Sequence, residues 1–412
     1  LLGSLPLIGN RIDDISLKNY GIALHDTTPV TLMAPSGTLH PLYAELGWLS
    51  NDTTTKLPDK DSKWVVEGNA TLTQTTPVKM MWSNGAGLTF ARLFSVDEHF
   101  MISVTQTVSN TGKTSVELYP YTSLTRRGLP EHHGKGNGYE GPLGYVADKL
   151  HNIPYEDINE DGAQTFSGLN GFIGFGERYW LSAILPEQMK QTSFNFQSIP
   201  NAADPTKTVY QVDARGDKVT VDSGKSASST VHIFAGAKEI KVLDAYEEKL
   251  GVKHFDLAVD FGWLYFLTKP LYFMLILFNG WVGNFGVAII MLTFVVRAAV
   301  FPLANKSYRS FAGLRKISPK MAEIKARYGS DKVRLQQELV KLYETEQVNP
   351  MAGCFPILLQ MTILFAIYRV MSIAVEMRHA PVFGWIHDLS EPDPLSMFNL
   401  CGLLPFDVPS FL

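Results

Sequence analysis

From Phe261 to Leu303 the chain carries only two charges, Lys269 and Arg297, and a stretch that apolar has the composition of a membrane segment. The run divides at Asn279 to Asn284 (NGWVGN). Its second part, Phe285 to Leu303, makes a helix of roughly 28 Å, close to the hydrocarbon thickness of a bilayer, and reads as a membrane span. Its first part, Trp263 to Phe278, has Lys269 and Pro270 at its middle. That part reads as an interfacial helix held at headgroup level by its aromatics. Met351 to Ile373 reads as a second span, apolar apart from Arg369 and interrupted by Pro356.

The 412 residues are too many for one core, and charge shows where they divide. Leu1 to Asp260 holds 30 Asp and Glu against 22 Lys and Arg, net −8, whereas Phe261 to Leu412 holds 10 against 14, net +4. The overall −4 therefore hides two different surroundings. With no basic, aromatic-laced stretch, no nucleic acid is expected as a partner. Between Leu5 and Ala235 short apolar or alternating segments, such as Trp64 to Glu67, Met101 to Val108, Val209 to Val212 and Ser229 to Ala235, are strand signals. Turns punctuate them at Pro35-Ser-Gly, Asn84-Gly, Asn110-Thr-Gly, Asp161-Gly and Arg215-Gly-Asp. The pattern predicts one large β-sandwich. A short helix over Asp244 to Leu250, stopped by Gly251, closes the soluble part.

Asn305 to Asn349 carries ten Lys and Arg against five acids, so the positive-inside rule makes it cytoplasmic. One crossing separates it from the sandwich, which then lies outside, in a bacterial periplasm if the source is Gram-negative. Were Trp263 to Phe278 also spanning, the sandwich would be cytoplasmic. The two cysteines, Cys354 and Cys401, lie in the apolar half, and a cysteine-free soluble domain fits either side. Leu1 to Asn10 lacks the basic and apolar regions of an export signal, which is expected upstream. In the cytoplasmic segment Leu314, Ile317, Met321, Ile324 and Tyr328 keep helical spacing, and Leu335, Leu339 and Leu342 continue it. Ser318-Pro319 reads as a helix start and Gly329-Ser330-Asp331 as a stop and restart, which predicts a helical hairpin.

Arg297 is the residue with most chemical content, a lone cation about 9 Å inside the expected end of its helix. Two readings stay open: the side chain snorkels to the cytoplasmic surface, or it faces a functional polar cavity. Thr293, four residues earlier, shares its face and makes a polar stripe. Gln360 near the middle of the second span either glues helices or lines such a cavity. Arg369 is within snorkelling reach of the outer end and reads as structural. Gly136 to Gly141 matches GxGxxG, but Pro142 follows and no helix opens there. Glu131-His132-His133 lacks metal-ligand spacing, and Cys354 has no activating neighbour. No catalytic constellation, metal or cofactor is expected.

Several stretches together resemble the YidC-type insertase family: Ala235 to Ile240 (AGAKEI), Asp260 to Pro270 (DFGWLYFLTKP), Thr293 to Pro302 (TFVVRAAVFP), Val348 to Pro356 (VNPMAGCFP) with Gln360-Met361, Val375 to Pro381 (VEMRHAP) and Trp385 to Leu389 (WIHDL). In the β domain Leu7 to Asp13 (LIGNRID) is the clearest match. The resemblance implies an α+β membrane protein: a large periplasmic β super-sandwich, transmembrane helices and a cytoplasmic helical hairpin. Its parts would be 1–252 sandwich, 253–282 linker and interfacial helix, 283–304 transmembrane helix, 305–349 hairpin, 350–374 transmembrane helix and 375–412 periplasmic loop and the start of further helices. By the same resemblance Arg297, Thr293, Gln360, Met361 and Thr362 line a hydrophilic substrate groove in the inner membrane. The hairpin, with Met321, Ile324, Tyr328, Leu335 and Leu339, engages incoming chains. Implied partners are nascent membrane proteins, the Sec translocon, the ribosome or signal recognition machinery, and membrane lipids. Thr362 departs from the proline that many members have there, and the family's amino-terminal anchor and last three core helices have no counterpart in these residues. A membrane-anchored carbohydrate-binding or carbohydrate-processing protein is the competing reading, and a transporter subunit a weaker one.

Overall fold

The computed structural model describes residues 1–390 apart from 132, 134–137, 202, 203, 205, 206, 330, 347–350 and 385, and without the side chains of 306–311, 314 and 351–357. The chain forms two units, Leu1–Asp260 with Ile373–Glu376, and Phe261–Ser372 with Met377–Leu412.

The first unit is built on antiparallel strands. Among the described residues one sheet has nine, in the spatial order Lys149–Asn152, Gly141–Val146, Phe172–Gly176, Trp180–Leu185, Ser226–Ala237, Met101–Asn110, Leu88–Val96, Val78–Ser83 and Val65–Glu67. A second runs Gln164–Gly168, Thr192–Ile199, Val209–Gly216, Val116–Arg127, Leu42–Leu49 and Arg11–Ile12, with Val219–Val221 also paired to Val116–Arg127. A small third sheet holds Leu2–Ser4, Asp14–Gly21 and Pro29–Met33. Period-two alternation explains the sandwich. In Met101–Asn110, Ile102, Val104 and Val108 join the core with Phe90, Phe94, Phe175, Phe194 and Phe196. The intervening Thr105, Thr107 and Ser109 turn outward and meet Thr230, Ser228 and Ser226 at 2.8–3.0 Å. At Gly174 two strands approach so closely that an added Cβ would lie 2.2 Å from the carbonyl oxygen of Ser182, so only glycine fits there.

Two arginines are buried in this unit. Arg92, 4% exposed, lies over the Trp64 ring and donates to Asn10 Oδ1 at 3.0 Å and to the Leu46 carbonyl. Burial pulls its pKa down to about 9. Arg126 donates to the Glu177 carboxylate beside the Phe175 ring. Burial also holds His151 and His232 below the ordinary histidine pKa. The unfolded chain therefore takes up protons below about pH 6.5 before the folded chain does, and stability present at neutral pH falls on acidification. The urea midpoint should drop between pH 7 and pH 5.5, and His232→Gln should flatten that slope. A midpoint unmoved over this range would contradict the assignment.

Two short helices belong to the same unit, α1 (Tyr155–Asp161) and α2 (Ile240–Leu250). The latter ends on Gly251, left-handed at φ 71°, with its N–H donating to the Glu247 carbonyl, as the glycine predicted.

The second unit is helical: α3 (Tyr265–Val282), α4 (Phe285–Tyr328), α5 (Lys332–Thr345) and α6 (Met351–Ile373). Two expectations change here, and one is sharpened. The break expected within Asn279 to Asn284 falls at Gly283, left-handed at φ 66°, so α3 runs on through Asn279, Gly280 and Trp281. Asn279 accepts the capping N–H of Gly283 at 2.7 Å, and a helix stops where its cap forms rather than at its first polar residue. The span and the first arm of the expected hairpin are one 44-residue helix, with Pro302 and Pro319 inside it. Ser318-Pro319 therefore opens no helix. A proline removes one ladder bond and kinks or breaks a helix, and here the helical register continues past both. The stop and restart at Gly329 and Asp331 do occur: Asp331 caps α5 through the N–H groups of Val333 and Arg334 at 3.1 Å.

Candidate functional site

Asn284 fixes the start of α4 twice over. Its side chain accepts the Val287 N–H at 3.1 Å and donates to the Val382 carbonyl at 2.6 Å. Gly286 lets Val382 close in, since a methyl there would lie 2.0 Å from Val382 Cγ1. From this anchor the segment Phe285–Asn305 is long and apolar enough to cross a membrane, and only 11% of an 18-residue stretch of it is buried by protein. Such a surface suits a lipid environment. The described apolar stretch of α6, Leu358–Ile373, is shorter. On α3, Phe266, Leu277 and Trp281 are exposed while Leu271, Tyr272, Leu275 and Phe278 are buried, so both of its faces are apolar.

Against this background a small polar cleft opens between α4 and α6, with a volume of about 80 Å³. Thr293, Val296, Arg297 and Val300 line it from α4, and Gln360, Ile363, Leu364 and Ile367 from α6. Both sets step by 3, 1 and 3 residues, the spacing that puts side chains on one helix face. The cleft holds a few waters' worth of space, a cation, a hydroxyl and an amide within otherwise aliphatic walls. Among the described residues no carboxylate pairs with Arg297. An unpaired guanidinium in such surroundings attracts anionic and polar groups and keeps water with it.

Arg297, Thr293 and Gln360 thus share one cleft. Met361 and Thr362 do not line it: Met361 is 59% exposed, and the Thr362 hydroxyl donates to the Leu358 carbonyl at 3.0 Å within its own helix. Ile363, Leu364 and Ile367 were missed, although their helical spacing from Gln360 marks them. Met321, Ile324 and Tyr328 on α4 and Leu335 and Leu339 on α5 are all half-buried. The two helices are tied by Lys320 to Glu346 at 2.6 Å and by the Tyr343 hydroxyl to Met321 Sδ at 3.9 Å. Of the weaker motifs, His132, Gly136, Cys401 and the Cys354 side chain lie outside the described residues. His133 Nδ1 is 3.4 Å from a Glu140 oxygen. Among the described residues one carboxylate group, Asp244, Glu247 and Asp256, has the spacing to hold a cation.

A lipid-facing helix with a cation-bearing cleft, together with a large β-sandwich, defines a membrane protein with an extensive soluble domain. Two family models match the chain, the YidC periplasmic domain over residues 1–274 and the 60Kd inner membrane protein over residues 277–407. The membrane protein insertase YidC of Bradyrhizobium diazoefficiens is 42% identical over 418 residues, 99% of this chain and 67% of that protein. That of Agrobacterium fabrum is 41% identical over 416 residues, 100% of this chain and 69% of that protein. A solved active YidC insertase with its first transmembrane domain resolved has a TM-score of 0.30 at 16% identity, covering 88% of this chain and 69% of that one. That structural overlap is too low to carry weight, and the assignment rests on sequence. The chain belongs to the YidC family of inner-membrane protein insertases.

Proposed function

We propose that the cleft of Thr293, Arg297 and Gln360 is the place where the hydrophilic segment of an incoming membrane protein is received part-way across the bilayer. The observation that carries this reading is the cation itself, unpaired among the described residues and set in a cleft between two apolar helices. Crossing hydrocarbon costs a polar segment several kcal/mol per unsatisfied group, and a hydrated, positively charged stopping place lowers that barrier. No bond is made or broken, so the work is that of an insertase and chaperone, not of an enzyme.

In this reading the chain is multi-pass. The sandwich lies in the periplasm, α3 lies at the membrane interface, and α4 and α6 span. The basic hairpin of α4 and α5 meets the ribosome or the signal recognition machinery at the cytoplasmic face. Family membership supports nascent membrane proteins as substrates, received alone or beside the Sec translocon. A membrane-anchored carbohydrate-binding or carbohydrate-processing protein loses its ground as the reading of the whole chain, because the relatives over its full length are membrane protein insertases.

A photoreactive residue at Thr293 should crosslink to a nascent membrane protein on stalled ribosomes, in a band that disappears on ribosome release. The same probe at Phe294, 74% exposed and facing away from the cleft, should crosslink chiefly to lipid. Equal client crosslinking at both positions would remove the cleft from the path.

A further inference from the structure

The sandwich contains a second cleft, of about 410 Å³, and its origin is legible in the strand pairing. Trp180–Leu185 pairs with Ser226–Ala237 only as far as Leu185 opposite His232. Pro186 follows, and without an N–H it cannot extend the ladder. Beyond that point Ser226 to Val231 has no strand neighbour on that side among the described residues, and the cleft lies beside this edge. Gln106 and Val231 from the nine-stranded sheet face Thr122 and Ala214 from the other across the gap.

The floor is polar and incomplete. Gln106 is 2% exposed, and its side-chain carbonyl oxygen has no hydrogen-bond donor among the described residues. A buried acceptor left in that state is unusual in a folded protein, and here it lines a cleft large enough for a small molecule. Thr122 and Thr192, each 3% exposed, add hydroxyl groups at similar depth, while Pro120, Pro186 and Val231 supply flat apolar wall.

We propose that this cleft binds a neutral sugar of one or two rings, with a ring hydroxyl donating to Gln106 Oε1 and the C–H face of the ring against the prolines. Charge selects against an anion, since the carboxylate of Asp217 also lines the rim. Glu187 is paired with Lys190 at 2.7 Å, and Lys218 with Glu117 at 2.8 Å, so the two lysines of the rim are already neutralised. Geometry selects against an added peptide strand. The N–H of Thr230 on the open edge already donates to Glu187 Oε1 at 2.9 Å. What remains is a site for a ligand with many neutral donors and acceptors and one apolar face. This site is independent of the insertase reading and adds a binding function to the soluble domain.

The full chain, purified in the sugar-free detergent lauryldimethylamine oxide, should show saturation transfer in nuclear magnetic resonance to at least one of glucose, N-acetylglucosamine and maltose. Gln106→Leu should weaken that binding at least tenfold while the circular dichroism spectrum is kept. Should Gln106→Leu fail to fold, Thr220→Trp decides, because Thr220 is exposed at the mouth and a large ring there closes the cleft without touching the core. Absence of transfer to all three sugars, binding unaltered in the variants that fold, or occupation of the cleft by an unstructured decapeptide in place of sugar would each overturn the proposal.

Discussion

Arg297→Glu should abolish insertion of dependent membrane proteins in cells depleted of their own insertase, Arg297→Ala should cut it at least tenfold, and Arg297→Lys should keep most of it. The reasoning is electrostatic. A charge at the centre of a spanning helix costs about 2.5–3.5 kcal/mol on insertion scales, a cost that a merely structural position has no reason to bear. Near a protein surface, two unit charges 4 Å apart interact by about 4 kcal/mol, so reversing the sign turns an attraction for acidic passengers into a repulsion of similar size. Lysine retains the charge but loses the planar fork, which makes it the partial substitute. The measurement is protease protection of a pulse-labelled client, with variant levels in the membrane matched by blotting. Full insertion by the glutamate variant would dismiss the cleft as the working site.

In the sandwich the largest single loss should come from Arg126→Ala. Its side chain is only 5% exposed and donates to Glu177, whose side chain is 29% exposed. Removing one member of a buried pair typically costs about 3–5 kcal/mol, because the other charge is left without compensation. Glu177 keeps some access to water, which puts the expected loss near the lower end, at about 3 kcal/mol. Urea unfolding of the full chain followed by circular dichroism reads this directly. Arg126→Met combined with Glu177→Leu should recover most of it, since two apolar groups of similar volume need no counter-charge. A loss below about 1 kcal/mol would mark the pair as no better than a surface one.

The strands and their turns were legible because alternation and glycine-containing turns are local signals, and α2 was legible through Gly251. The continuity of α4 was not. Pro302 and Ser318-Pro319 are local stop signals, but each removes only one bond from the ladder of a long helix, which continues past it. On the cleft, Thr293 and Arg297 share a face by spacing alone, but bringing Gln360 opposite them requires the pairing of α4 with α6, which no local pattern encodes. Met361 and Thr362 were grouped with Gln360 as neighbours in a motif. Successive residues turn about 100° around a helix, so three in a row cannot all face one cleft. Gln106 was invisible for a different reason. Its strand position marks it as inward-facing, but the cleft beside it opens where a ladder ends at Pro186, some eighty residues away.

Both gaps in the hydrogen-bond ladder of α4 lie on one side of Arg297. Without an N–H, Pro302 leaves the Ala298 carbonyl without its donor, and Pro319 does the same to Arg315. The rod is therefore stiff from its Asn284 anchor to the arginine and compliant beyond it. A load applied to the hairpin tip would be taken up first as bending at these two joints, both of them beyond the arginine.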